Sequence, residues 1–130
     1  MNGPSSSSLL RPVLRIFGLI FIFGLPLLNR IWPSGWAWVP EQPAYLQMIW
    51  GIYATLGVFL FIAARDPARN LSLIWFTVWS SIVHGAVMAV HSVTDPAQIG
   101  HVWGDVAALF ITAVVLTVLV RREVPAGSRP

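Results

Sequence analysis

Three histidines, His84, His91 and His101, and the carboxylate Asp105 are the side chains whose types and placement could do chemistry in this sequence. His84 stands in Ser80-Ser81-Ile82-Val83-His84-Gly85-Ala86, deep in an apolar run, and His91 follows seven residues later on the same helical face. Ionisable groups inside a membrane are expensive, so they raise a functional question by default. A haem b needs two neutral imidazoles facing each other from different helices, which makes His84 or His91 opposite His101 the pairing to look for. His91, His101 and Asp105 have ligand types suited to zinc or iron, but no HExxH or comparable spacing accompanies them, and no metal site is assigned. The plainer structural accounts are a neutral His84 bonded to a neighbouring helix or buried water, and a local hydrogen bond between His101 and Asp105.

Asp105 could instead join His84 in a proton or solute path, within a polar cluster that also draws on Glu41 and Tyr45. Asp105 stands within two turns of the expected interface, so a hydrated carboxylate is the simpler expectation. Glu41 lies in a loop, where solvation suffices. Trp75, Phe76 and Trp79 could line a quinone or pigment pocket, although aromatic residues near an interface more often face lipid. Ser81, Gly85 and Ala89, spaced by four, form a small-residue stripe on which another helix can pack closely. No Gly-rich phosphate loop, GxSxG elbow or Walker motif is present, so catalysis on soluble substrates has no support.

The elements that must position these residues follow from composition. Of 130 residues, 56% are hydrophobic and 10% charged, far below the roughly 25% charged residues of soluble domains. The mean hydropathy is +0.72. These values exclude a disordered chain and a nucleic-acid reader, and the absence of cysteine excludes disulfides and thiolate metal sites. Four apolar runs predict an all-α, four-span antiparallel transmembrane bundle. The spans cover about 12–30, 44–64, 70–93 and 98–120, within a single membrane domain of residues 9–122 flanked by flexible tails at 1–8 and 123–130. Pro12 suits the start of the first helix, and Pro26 predicts a kink near its other end. That run has some features of a secretory signal, but Asn29, Arg30 and Trp32 occupy the place where a cleavage site needs small residues. Asp66 before Pro67 predicts an N-cap ahead of the third helix.

Residues 31–43 are rich in Trp and Pro and predict an irregular interfacial loop, with Trp32, Trp36 and Trp38 anchoring it at headgroup level. Arg65, Arg69, Arg121 and Arg122 end apolar runs and read as further anchors. With four spans, Arg11, Arg15, Arg65, Arg69, Arg121, Arg122 and Arg129 fall on one side and Arg30 on the other, so the positive-inside tendency makes both termini cytoplasmic.

The segments Trp32-Pro33-Ser34-Gly35-Trp36, Gly51 to Phe59, Ala64-Arg65-Asp66-Pro67 and Ile74 to Met88 resemble a family of small uncharacterised bacterial four-helix membrane proteins, itself loosely similar to the DoxX-like group. The resemblance implies four antiparallel helices in a bacterial inner membrane and brings no activity. The function expected from the sequence is an accessory or scaffolding subunit, whose partners are membrane lipid and other membrane subunits or further copies of the chain, not nucleic acid. Two rivals are a redox or cofactor protein holding haem b or quinone through His84, His91 or His101, and a small dimeric proton-coupled transporter. Leaning away from an enzyme, this reading names no catalytic residue and no definite cofactor. After cell lysis the protein should sediment with membranes and enter solution only with detergent; recovery in the aqueous fraction would overturn the membrane reading.

Overall fold

Backbone groups surrounded by hydrocarbon must be bonded within the chain, and a helix does this inside a single segment. A computed structural model describes residues 8–38 and 43–124; Glu41, Arg129 and most of both expected tails lie outside these. The described residues are all helical or short links. They form α1 (Leu10–Leu19), α2 (Leu25–Ile31), the single turn α3 (Pro33–Trp36), α4 (Pro43–Ala63), α5 (Leu71–Thr94) and α6 (Asp105–Glu123). A wide π-helical turn, Ile20–Gly24, joins α1 to α2, and 3₁₀ segments at Pro67–Asn70 and Pro96–Val102 precede α5 and α6. The resulting helical stretches Leu10–Ile31, Ala44–Ala63, Pro67–Thr94 and Pro96–Glu123 are each long and apolar enough to cross a membrane.

Pro26 lies in the first turn of α2, immediately after the π-helical turn. Its ring would press on the carbonyl four residues back, that of Ile22, which lies within the widened turn. Trp32 leaves helical geometry at φ −139° and ψ 66°, and Pro33 opens α3. The expected irregular loop therefore contains one regular turn. Asp66 caps as predicted, accepting the Arg69 N–H at 3.3 Å, but it opens the 3₁₀ segment ahead of α5.

The hydrophobic core gathers early residues of the first and third stretches with late residues of the second and fourth. Leu10, Leu14, Leu60, Ile74, Leu116 and Val120 are at most 1% exposed at its centre. Gly18 and Gly57 bring the first two stretches together: a Cβ at either would meet the other's carbonyl oxygen at 2.8 or 2.6 Å. Outward, Phe23, Ile52, Val83 and Val93 are at least 60% exposed, as lipid-facing residues would be. Buried Thr77, Ser92 and Thr112 bond the carbonyls four residues back, at 2.8–2.9 Å, so their hydroxyls need no distant partner.

Glu123 ties the end of the last helix to the start of the first. It ends α6 and accepts hydrogen bonds from Ser8 Oγ at 2.6 Å, Leu9 N–H at 2.8 Å and Leu10 N–H at 3.0 Å. Ser8 and Glu123 are thus held parts of the structure. With its first amides capped by this carboxylate, α1 starts at Leu10, two residues before Pro12, and Pro12 falls in the first turn, where its missing N–H is harmless. Glu123→Gln should lower the stability of the detergent-solubilised protein by about 1–3 kcal/mol, because a charge-assisted cap becomes a neutral one with a mismatched NH₂. Thermal unfolding followed by circular dichroism checks this; an unchanged midpoint would count against the cap.

Candidate functional site

The loop helix α3 is seated by backbone contact. A Cβ on Gly100 would strike the Ser34 carbonyl, and one on Gly104 the Gly35 carbonyl, so both positions need glycine for the close approach. Asn29 adds a bond from its side-chain NH₂ to the Trp36 carbonyl at 3.1 Å. These contacts carry Trp38 onto the 3₁₀ segment, where its ring lies over that of His101 with centroids 3.9 Å apart. Its indole N–H donates to Asp105 Oδ2 at 2.5 Å.

Asp105 is the first residue of α6 and 7% exposed; His101, in the preceding 3₁₀ segment, is 1% exposed. His101 Nδ1 lies 3.1 and 3.0 Å from the two carboxylate oxygens. Against an ionised carboxylate that nitrogen must carry the proton. The expected His101–Asp105 contact exists, but between two elements and not along one helix. Asp105 packs against His101 and Trp38 on one side and reaches the cavity on the other.

Beyond this cluster a cavity of about 550 Å³ opens among all four membrane-length stretches. Its volume lies within the range of small-molecule sites. Most of its wall is apolar, from side chains such as Phe17, Ile49, Met88 and Leu109. Asp105 reaches one part of the wall and a second polar pair another. There the Tyr53 hydroxyl and His84 Nδ1 share a hydrogen bond at 2.6 Å, joining α4 to α5, while Phe21 meets the Tyr53 ring edge-on at 5.2 Å. Either partner can donate, according to the imidazole tautomer. His84 is therefore bonded to a neighbouring helix, as the plain account expected.

The sequence-predicted residues divide as follows. His84, Asp105 and Tyr45 line the same cavity, Tyr45 with 64% of its surface exposed; Glu41 lies outside the described residues. His91 is exposed on α5, and His101 is turned to Asp105, so His84 is the one histidine on the cavity wall and no facing imidazole pair is assembled there. Among the described residues no three His, Asp or Glu side chains gather as a metal site. Phe76 and Trp79 are 61% exposed, so the aromatic residues of the cavity come from elsewhere. Trp36 and Trp38 are half-buried and line the cavity, whereas Trp32 remains exposed, as do Arg65, Arg69, Arg121 and Arg122. Arg69 also meets Asp66 at 3.5 Å. Ser81 and Gly85 are buried and Ala89 half-buried, with Gly85 against Leu109 and Phe110 of α6. Sequence reasoning missed Tyr53, Trp50 and the inward roles of Trp36 and Trp38. Tyr53 carried a usable signal, since a phenol in mid-run needs a polar partner when buried.

Fold and site together define a four-stretch helical protein of membrane type with a largely apolar, partly open cavity and two polar pairs on its wall. The chain belongs to the family described as a family of unknown function (DUF6632), whose profile matches residues 4–128. That match brings no activity and lends the DoxX-like likeness no support. Neither a curated protein nor a solved structure matches the chain.

Trp38→Phe and Asp105→Asn should each destabilise the protein by about 1–3 kcal/mol, and the double variant by less than the sum, with a coupling of about 0.5–3 kcal/mol. A double-mutant cycle on thermal unfolding in detergent measures this; strict additivity would mean the indole and carboxylate do not support each other.

Proposed function

We propose that this protein binds a lipophilic small molecule within the membrane, in the cavity bordered by Tyr53, His84 and Asp105. The observation that carries the reading is the cavity itself: about 550 Å³, mostly apolar, reached by wall residues from all four stretches, with the Trp38–Asp105 and Tyr53–His84 pairs among its few polar groups. An apolar body gains from burial against such walls, and the polar pairs orient a head group. A quinone-like carbonyl compound satisfies these demands, as does any amphiphile of similar size.

The membrane setting proposed is a bacterial inner membrane, with an antiparallel bundle and both termini cytoplasmic. Gly18 against Gly57 and Phe61, and Phe21 against Tyr53, support the antiparallel order of the first two stretches, since numbers rise in one as they fall in the other. The arginine imbalance supports the sidedness. An accessory role beside other membrane proteins draws on the apolar exterior, but lipid serves that exterior equally well. Gly85, part of the stripe expected to receive a partner, already packs against α6.

Ala108 is half-buried on the cavity wall, so Ala108→Phe should fill part of the space without disturbing either polar pair. Binding of the neutral fluorophore N-phenylnaphthylamine to protein in mild detergent should weaken by about tenfold or more, while the circular dichroism spectrum stays unchanged. Equal binding by both proteins, after subtraction of protein-free micelles, would sink the ligand-binding reading.

A further inference from the structure

Among the described residues that line the cavity, Asp105 is the single acidic side chain, His84 is the one imidazole and there is no arginine. What Asp105 receives from the protein is an indole N–H from Trp38, an imidazole N–H from His101 and its place in the first turn of α6. The indole and the helix terminus offer dipoles and not a full positive charge. With His101 neutral, its N–H is a third dipole, and no full positive charge faces Asp105.

The aromatic lining bears on the same point. Trp36, Trp38, Trp50, Tyr45 and Tyr53 all reach the cavity, and the faces of such rings attract cations and not anions. A carboxylate and several aromatic rings sharing one apolar cavity favour a positively charged guest, with an apolar exterior to match the remaining surface. An anion meets repulsion from Asp105, and a neutral guest leaves its charge uncompensated.

We infer that the cavity accepts lipophilic organic cations, with Asp105 as the counter-charge and the surrounding tryptophans and tyrosines as the aromatic walls. This rests on the ligand-binding reading above and narrows it to a charge class. His84 and Tyr53, bonded to each other, serve as a neutral polar contact within the same space.

Three probes of one shape class test it: tetraphenylphosphonium as cation, triphenylphosphine oxide as neutral molecule and tetraphenylborate as anion. Each is titrated into the full chain in mild detergent, with binding followed by tryptophan quenching against protein-free micelles. The cation should bind about tenfold or more tightly than either of the others. Asp105→Asn should bring the cation's affinity to within about threefold of the neutral probe's, both measured on the variant. Equal affinity for cation and neutral probe, or tighter anion binding, overturns the charge assignment while leaving the cavity a binding site. Failure of all three probes to bind removes the ligand-binding reading as well. The wild-type comparison decides the matter even where Asp105→Asn does not fold.

Discussion

Polar groups held in hydrocarbon have only their own chain to bond with, and the polar side chains of this molecule are arranged around that constraint. Thr77, Ser92 and Thr112 meet it locally by returning their hydroxyls to the carbonyl one turn back. Tyr53 and His84 meet it across two helices. Asp105 needs two partners from two further elements, Trp38 and His101. Glu123 meets it by capping the first helix from the end of the last. One buried donor, Trp36 Nε1, is without a partner among the described residues, and it belongs to a side chain on the cavity wall.

Packing is unevenly distributed along the helices. Small residues and interlocking leucines close one half, where Leu14, Leu60, Ile74 and Leu116 exclude everything else. In the other half large aromatic side chains stand around a space that they do not fill. A rigid packed half holding an open half is a sound way to present a preformed cavity, because ligand binding then need not order the surrounding helices. The polar groups at the cavity are likewise held before any ligand arrives: Trp38 by the seating of α3 on Gly100 and Gly104, and Tyr53 by Phe21 and His84.

This arrangement also redistributes the roles of the tryptophans. In sequence, Trp32, Trp36 and Trp38 look alike, since each is a bulky amphipathic ring in a Pro-rich loop. In space they part company, with Trp32 exposed and the other two turned inward. The deciding factor is the one-turn helix α3, whose backbone touches glycines more than sixty residues away in the chain. Propensity carries no information about a contact of that kind.

The sequence by itself determined how many long apolar stretches there are and where they lie. Uncharged runs of membrane length, bounded by arginine and proline, require helices because no other single segment satisfies its own backbone in lipid, and the four stretches duly fall where those runs lie. It also singled out His84 and Asp105, since an ionisable group amid apolar residues is visible without a structure. Only the tertiary structure decided their partners. Tyr53 lies 31 residues from His84, Trp38 lies 67 from Asp105, and Glu123 lies 113 from Leu10. Periodicity specifies which face a side chain occupies, but not which helix is opposite it or how closely two backbones approach. Those are set by small residues such as Gly18, Gly57 and Gly104, whose effect exists only once the helices have met.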